Sequence, residues 1–195
     1  MPDIKPMTLD ERYDWIRDRM DFAIMASLLD EIRNAGFQKL IKRLSQLGIM
    51  IGADTGLTSA QAMETPRLGL TVVLPARPPL IWINVLKHAN SEAKLADTAA
   101  HEAIHATSAE LGRHDQLPEL DDARRYNGEE ICALVGANTI LRDIDFPAIT
   151  EIARNKKMLR DHKKILERLN CSKRFVSERE TEGQSAARFL LHTSA

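Results

Sequence analysis

Two cysteines occur in the 195 residues, Cys132 and Cys171. They lie far apart and form no C-x-x-C pair, so no disulfide framework is implied. No apolar run approaches the roughly 18 residues that span a bilayer, which argues against a membrane protein. The opening Met1-Pro2-Asp3 leads into a charged helix without the apolar core of a signal peptide, so a cytoplasmic protein is expected. Charge of one sign is lacking too: the net charge of -1 speaks against an overall nucleic-acid binder and against an acidic DNA mimic. No internal repeat is present. What remains is an ordinary soluble composition, 44% apolar and 28% charged, in a chain long enough for one domain with a helical appendage.

The first strong local signal is Thr8 followed by Glu11, a capping box that predicts a long amphipathic helix to about Asn34. Leu9, Tyr13, Ile16, Met20, Ala23, Ile24, Leu28 and Ile32 form its inward stripe. Gly36 ends it, and a shorter helix follows with Phe37, Leu40, Ile41, Leu44 and Leu47 inward. The stretch 48–67 is rich in Gly, Thr, Ser and Ala and reads as irregular. Strands are predicted at Leu68–Leu74 and Leu80–Leu86, separated by the proline-rich 75–79.

Ser91 caps the next helix, which runs to about Leu111 and stops at Gly112. A polar loop spans Arg113 to Tyr126. Asn127 is a fitting N-cap for a helix from Gly128 to about Arg142, and Pro147 fits the first turn of a helix reaching about Leu169. The tail beyond Ser177 is polar and reads as mobile, with Phe189, Leu190 and Leu191 as a segment able to dock back. The expected organisation is therefore an N-terminal helical region (1–66), a core (67–176) and a C-terminal tail (177–195).

The helix after Ser91 contains His101-Glu102-Ala103-Ile104-His105. Residues four apart share one helix face, so both imidazoles can reach one metal ion, and Glu102 can take a proton from a metal-activated water. Such a pentad arises by chance in about one chain in a hundred, so its context decides. The competing reading is a polar face on an Ala-rich helix.

A catalytic zinc needs three protein ligands and an open position. The extended form H-E-x-x-H-x-x-G-x-x-H fails here, because Ser108 and Leu111 occupy the Gly and last His positions. A Glu donated by the following helix is the other option, and Glu129 and Glu130 both qualify by spacing.

The stretch Tyr126-Asn127-Gly128-Glu129-Glu130-Ile131-Cys132-Ala133-Leu134-Val135-Gly136-Ala137, about twenty residues after the pentad, resembles the zincin-like metallopeptidase domain of the ArdC antirestriction family. That family's second helix reads approximately Y-x-x-E-E-L-V-A-E-I-G-A after an H-E-L-x-H helix. The strand Leu80–Leu86 also falls where the family places one. The resemblance covers roughly residues 80–145 and does not extend to the family's N-terminal single-stranded-DNA-binding domain.

It implies an α+β fold: a mainly helical zincin with a small sheet beside the pentad helix. It implies Zn2+ held by His101, His105 and Glu130, with Glu129 as the fallback. Glu102 becomes the general base, and Tyr126 a hydrogen-bond donor to the substrate oxyanion. The implied function is zinc-dependent peptide-bond hydrolysis on a protein or peptide substrate, with a link to DNA or mobile elements. An edge strand at Leu80–Leu86 would align an extended peptide.

Two departures stand out. Leu134 replaces the acidic residue expected four after the ligand, which removes a carboxylate that would orient a ligand histidine. Ala106-Thr107-Ser108-Ala109 replaces a W-T-G-H run. Asn138 and Asp97 are the substitutes considered for orienting an imidazole.

Cys132 reads as a small core residue. His88, His114, His162 and His192 have no partners at ligand spacing and read as surface residues. The segment Arg154–Arg174 concentrates Arg154, Lys156, Lys157, Arg160, Lys163, Lys164, Arg168, Lys173 and Arg174 against Asp161 and Glu167. Ile152, Leu159, Ile165, Leu166 and Leu169 are its expected core-facing residues. A solvated basic face explains the charge, and DNA contact is the functional reading. It motivates the alternative of a zincin-fold binding protein without turnover, working through that helix.

Overall fold

The computed structural model describes residues 8–54, 68–88, 91–110 and 121–192. The loop expectations at 55–67 and 113–120, including His114, and the helix stop at Gly112 lie outside them. The described elements are α1 (Leu9–Arg17), β1 (Met20–Asp21), α2 (Phe22–Glu31), α3 (Ala35–Gln46), β2 (Met50–Asp54), β3 (Gly69–Val72) and β4 (Leu80–Ile83). After a short 3-10 turn at Val85–Lys87 come α4 (Glu92–Glu110), α5 (Asp122–Asp143), α6 (Ile149–Arg168) and α7 (Lys173–His192). The architecture is α+β, mainly helical with a small mixed sheet. No described helix is long and apolar enough to cross a membrane.

The capping box forms as its sequence implies: the Thr8 amide donates to Glu11 Oε2 at 2.7 Å and the Glu11 amide to Thr8 Oγ1 at 3.2 Å. The helix it launches does not run through to Asn34. It stops at Arg17, because Met20 and Asp21 pair antiparallel with Asp54 and Ala53 of β2. Asp21 then caps α2, accepting from the Ile24 amide at 2.8 Å. The interruption resets the helical phase, so Met25 and Leu29 are buried while Ile24 stays exposed. Nor does Gly36 end a helix. It lies in the first turn of α3, packed so closely on Ile144 that a Cβ there would come within 2.4 Å of the Ile144 Cβ.

The sheet order is β1-β2-β4-β3. β2 runs parallel to β4, and β3 antiparallel to it. Two corrections follow. Part of the stretch that reads as irregular is a strand, and β4 lies inside the sheet rather than at its edge. Leu80, Ile81 and Ile83 are fully buried, as suits an interior strand with cover on both faces. Among the described strands the free edge beside α4 belongs to β3.

One hydrophobic cluster links Met25, Leu29 and Phe37 near the N-terminus to Ile81 and Ile83 of the sheet, Ile104 of α4, Ile140 of α5 and Leu190 of α7. The N-terminal region, expected to be helical and packed on the body, therefore also contributes two strands and a large share of the core. The tail is a further correction. Residues 173–192 form a helix, and its Gly183, Ala186, Ala187 and Leu190 are buried. Small side chains make this buried face look polar in sequence, yet they allow close approach: a Cβ on Gly183 would lie 2.2 Å from the Cys132 carbonyl oxygen.

Candidate metal centre

The pentad sits in the middle of α4, whose N-terminus is capped by Ser91 accepting from the Lys94 amide at 3.2 Å. Ala96, Ala99, Ala100, Ala103 and Ile104 are fully buried against the core. That apolar stripe orients the helix and turns His101 and His105 towards α5. Their Nε2 atoms lie 3.2 Å apart.

α5 begins earlier than its sequence suggests. Asp121 is the N-cap, accepting from the Arg124 amide at 2.8 Å, so Tyr126 and Asn127 fall within the helix. Glu130 then projects between the two imidazoles, its Oε2 3.5 Å from His101 Nε2 and its Oε1 3.7 Å from His105 Nε2. These three are the described residues whose donor atoms could together hold a metal ion. Glu129 is not among them. Ligands bonded at about 2.0–2.2 Å to a tetrahedral zinc stand roughly 3.3–3.6 Å from one another. The observed separations of 3.2, 3.5 and 3.7 Å fit such an ion.

The electrostatics of the cluster are tightly coupled. Burial by itself would raise the Glu130 carboxyl, but the hydrogen bond with His101 and the charges of His101, His105 and His162 hold it at about 2. For His101, burial would lower the pKa, and Glu130, Glu102 and Asp97 outweigh it, giving a raised value. A divalent cation held by these three residues would take the proton's place as the positive partner of Glu130.

Glu102 is 7% exposed and reaches β3. Thr71 Oγ1 lies 2.7 Å from its Oε2. Tyr126, four residues before Glu130 and so on the same helix face, is 56% exposed, with its ring 6.2 Å from that of His162.

His162 corrects the sequence reading. It is half-buried, with Nδ1 2.8 Å from Asn127 Oδ1. Asn127 Nδ2 donates to the Ala123 carbonyl at 2.7 Å, so Oδ1 is left to accept, and network logic assigns the His162 proton to Nδ1. Burial, with the nearby His101, lowers the His162 pKa. Its position on the inward stripe with Leu159 and Leu166 was the signal available in sequence. His88 is also not a surface residue: at 5% exposure it lies 2.7 Å from the Asn84 carbonyl and 2.8 Å from Thr98 Oγ1.

Asp97 is 2% exposed and accepts from Arg154 and, at 2.6 Å, from Asn155 Nδ2. Asn155 also reaches Asn138 Oδ1 at 3.3 Å. Asp97 therefore acts on His101 through its field, while its hydrogen bonds tie α6 to α4. Leu134 is 1% exposed and belongs to the core, and Cys132 is buried as expected.

No protein-family model matches the chain, and searches of curated proteins and of solved structures give no match.

Proposed function

We propose that the protein is a zinc-dependent metallopeptidase of the zincin type, cytoplasmic and acting on a protein or peptide substrate. The observation that carries this reading is the convergence of His101, His105 and Glu130 at ligand-to-ligand distances of 3.2–3.7 Å, with the carboxylate of Glu102 one residue away in sequence. A polar helix face without chemistry would not need a glutamate from a second helix placed between both imidazoles.

His101, His105 and Glu130 hold the zinc in this reading. Zinc, when bound there, would supply a Lewis acid for the scissile carbonyl and bring the pKa of a water towards about 7. Glu102 accepts a proton from the attacking water and returns it to the leaving amine. Tyr126 donates its hydroxyl proton to the oxyanion. An extended substrate adds along the free edge of β3, its main chain bonding to the strand.

The test is Glu102→Gln beside wild type. Both should carry about one zinc per chain by elemental analysis. Turnover of a mixed peptide library, read by mass spectrometry, should fall about 100-fold or more in the variant. A fully active Glu102→Gln protein refutes the mechanism.

A second reading, a zincin-fold protein that binds DNA without hydrolysis, is favoured by the surface of α6. On α6, Arg154 and Lys163 pair with Asp97 and Glu180, while Arg174, which falls in α7, pairs with Glu178. Lys156, Arg160, Lys164 and Arg168 are exposed, without an ion pair among the described residues, and recur every fourth position along one side of the helix. Salt-sensitive binding of a DNA duplex that survives Glu102→Gln, without peptide cleavage by wild type, would favour this reading.

A further inference from the structure

The sequence draws attention to β3 only as a short strand ahead of a proline-rich loop. In the structure its residues 69 and 71 share the side that faces α4, because side chains alternate along a strand. The Thr71 hydroxyl lies 2.7 Å from Glu102 Oε2 and 3.0 Å from the Glu102 carbonyl oxygen. A hydroxyl has one proton to give, and the ionised carboxylate is the stronger acceptor. Two residues earlier, Gly69 leaves the room that the Glu102 side chain fills. A Cβ at that position would lie 2.8 Å from Glu102 Cγ, 2.9 Å from Glu102 Oε1 and 2.9 Å from Thr98 Cγ2. Glu102 is thus confined by space on one side and by a directed hydrogen bond on the other.

We infer that Gly69 and Thr71 are positioning residues for Glu102, so that β3 sets the orientation of the carboxylate that the proposed reaction uses as its base. The inference rests on the metallopeptidase reading for its catalytic meaning. The contact between strand and carboxylate can be measured without it. The arrangement ties two tasks to one strand: the edge of β3 that pairs with no other described strand would take an extended chain, and the side facing α4 holds Glu102. A shift in β3 therefore moves the base. Neither residue is near enough in sequence to the pentad to be found by motif.

Thr71→Val removes the donor and keeps the shape, Thr71→Ser keeps the donor, and Gly69→Ala fills the space. In zinc-loaded full-length protein, Thr71→Val should keep its zinc, with a dissociation constant within about 2-fold of wild type in a chelator competition. Its kcat on a cleaved library peptide should fall about 10-fold or more at nearly constant KM, as expected when a group outside the ligand set loses its orientation. Thr71→Ser should recover most of the loss, and Gly69→Ala should lower kcat similarly. Unchanged kcat in Thr71→Val overturns the inference.

A second measurement separates this result from failure of the metallopeptidase reading. Urea unfolding of wild type, Thr71→Val, Glu102→Ala and the double variant, all at the same zinc concentration, forms a cycle whose coupling reports the contact directly. A coupling of about 3-fold or more in the unfolding constant supports the hydrogen bond, even for a chain that cleaves no library peptide. Additive effects overturn it, whatever the peptidase activity.

Discussion

Helix α5 has two working faces of opposite construction. Towards α4 it offers Glu130, whose value lies in a charged side chain reaching two imidazoles. Towards α7 it offers Gly128 and the backbone at Cys132, whose value lies in what is missing. A Cβ on Gly128 would come 2.9 Å from the Phe175 ring, and one on Gly183 would come 2.2 Å from the Cys132 carbonyl oxygen. The first face is chemistry with little packing, and the second is packing with little chemistry. Damage to one should leave the other largely intact.

The largest effect expected from breaking this contrast is on metal binding. In the proposed metal site Glu130→Gln should weaken zinc by more than about 100-fold, since it would remove the one anionic ligand of the three. Glu129→Gln should bind zinc like wild type. Elemental analysis and chelator competition decide it, and zinc retained in Glu130→Gln would move the third ligand elsewhere. Unfolding of the metal-free chain should also become easier near neutral pH, because the Glu130 carboxylate, held at about 2 by the imidazoles around it, stabilises the folded state through those contacts.

The opposite face should respond in the opposite way. Gly183→Ala forces α7 away from α5 and should cost roughly 1–3 kcal/mol in urea unfolding, as overpacking typically does. The folded fraction should still bind about one zinc per chain. A Gly183→Ala protein of wild-type stability would show that the close approach is not needed.

The smallest effect sharpens the picture of the helix that carries the pentad. Burial, with Lys94 and Arg154 nearby, lowers the pKa of His88 below its ordinary 6.5, against the opposing bond to the Asn84 carbonyl. The folded state thus takes up a proton there later than the unfolded chain. Stability is complete above pH 6.5 and is lost as pH falls through that value towards the folded pKa. The loss cannot exceed about 1.4 kcal/mol per pH unit for one proton. The urea midpoint measured from pH 7.5 to 5 should fall less steeply in His88→Gln than in wild type. Equal slopes would place the His88 proton outside the folding equilibrium.

How much of this was legible in sequence varies by element, for physical reasons. The pentad was legible because helical spacing alone brings His101 and His105 together, and the helix around it declares itself through Ser91 and its alanines. Glu130 was one of two candidates, and choosing it needed the rotation of α5, which depends on a helix start at Asp121 rather than Asn127. β2 was hidden because Gly52 is a poor strand residue in isolation, yet a Cβ there would come 2.7 Å from the Met20 Cβ, so the position belongs to glycine. The break between α1 and α2 was hidden because Thr8 to Asn34 is locally helical, and sheet pairing at Met20 and Asp21 overrides that preference. α7 was hidden because glycine and alanine bury well without looking apolar.

Local order therefore settled the pair of imidazoles on one helix face and most helix cores, since these depend on spacing within a few turns of chain. Tertiary structure decided which glutamate meets the imidazoles, which strand lies at the free edge, and that β3 holds Glu102. Each of those depends on side chains and strands meeting across long stretches of sequence, where the free energy of packing and pairing, and not local propensity, makes the choice.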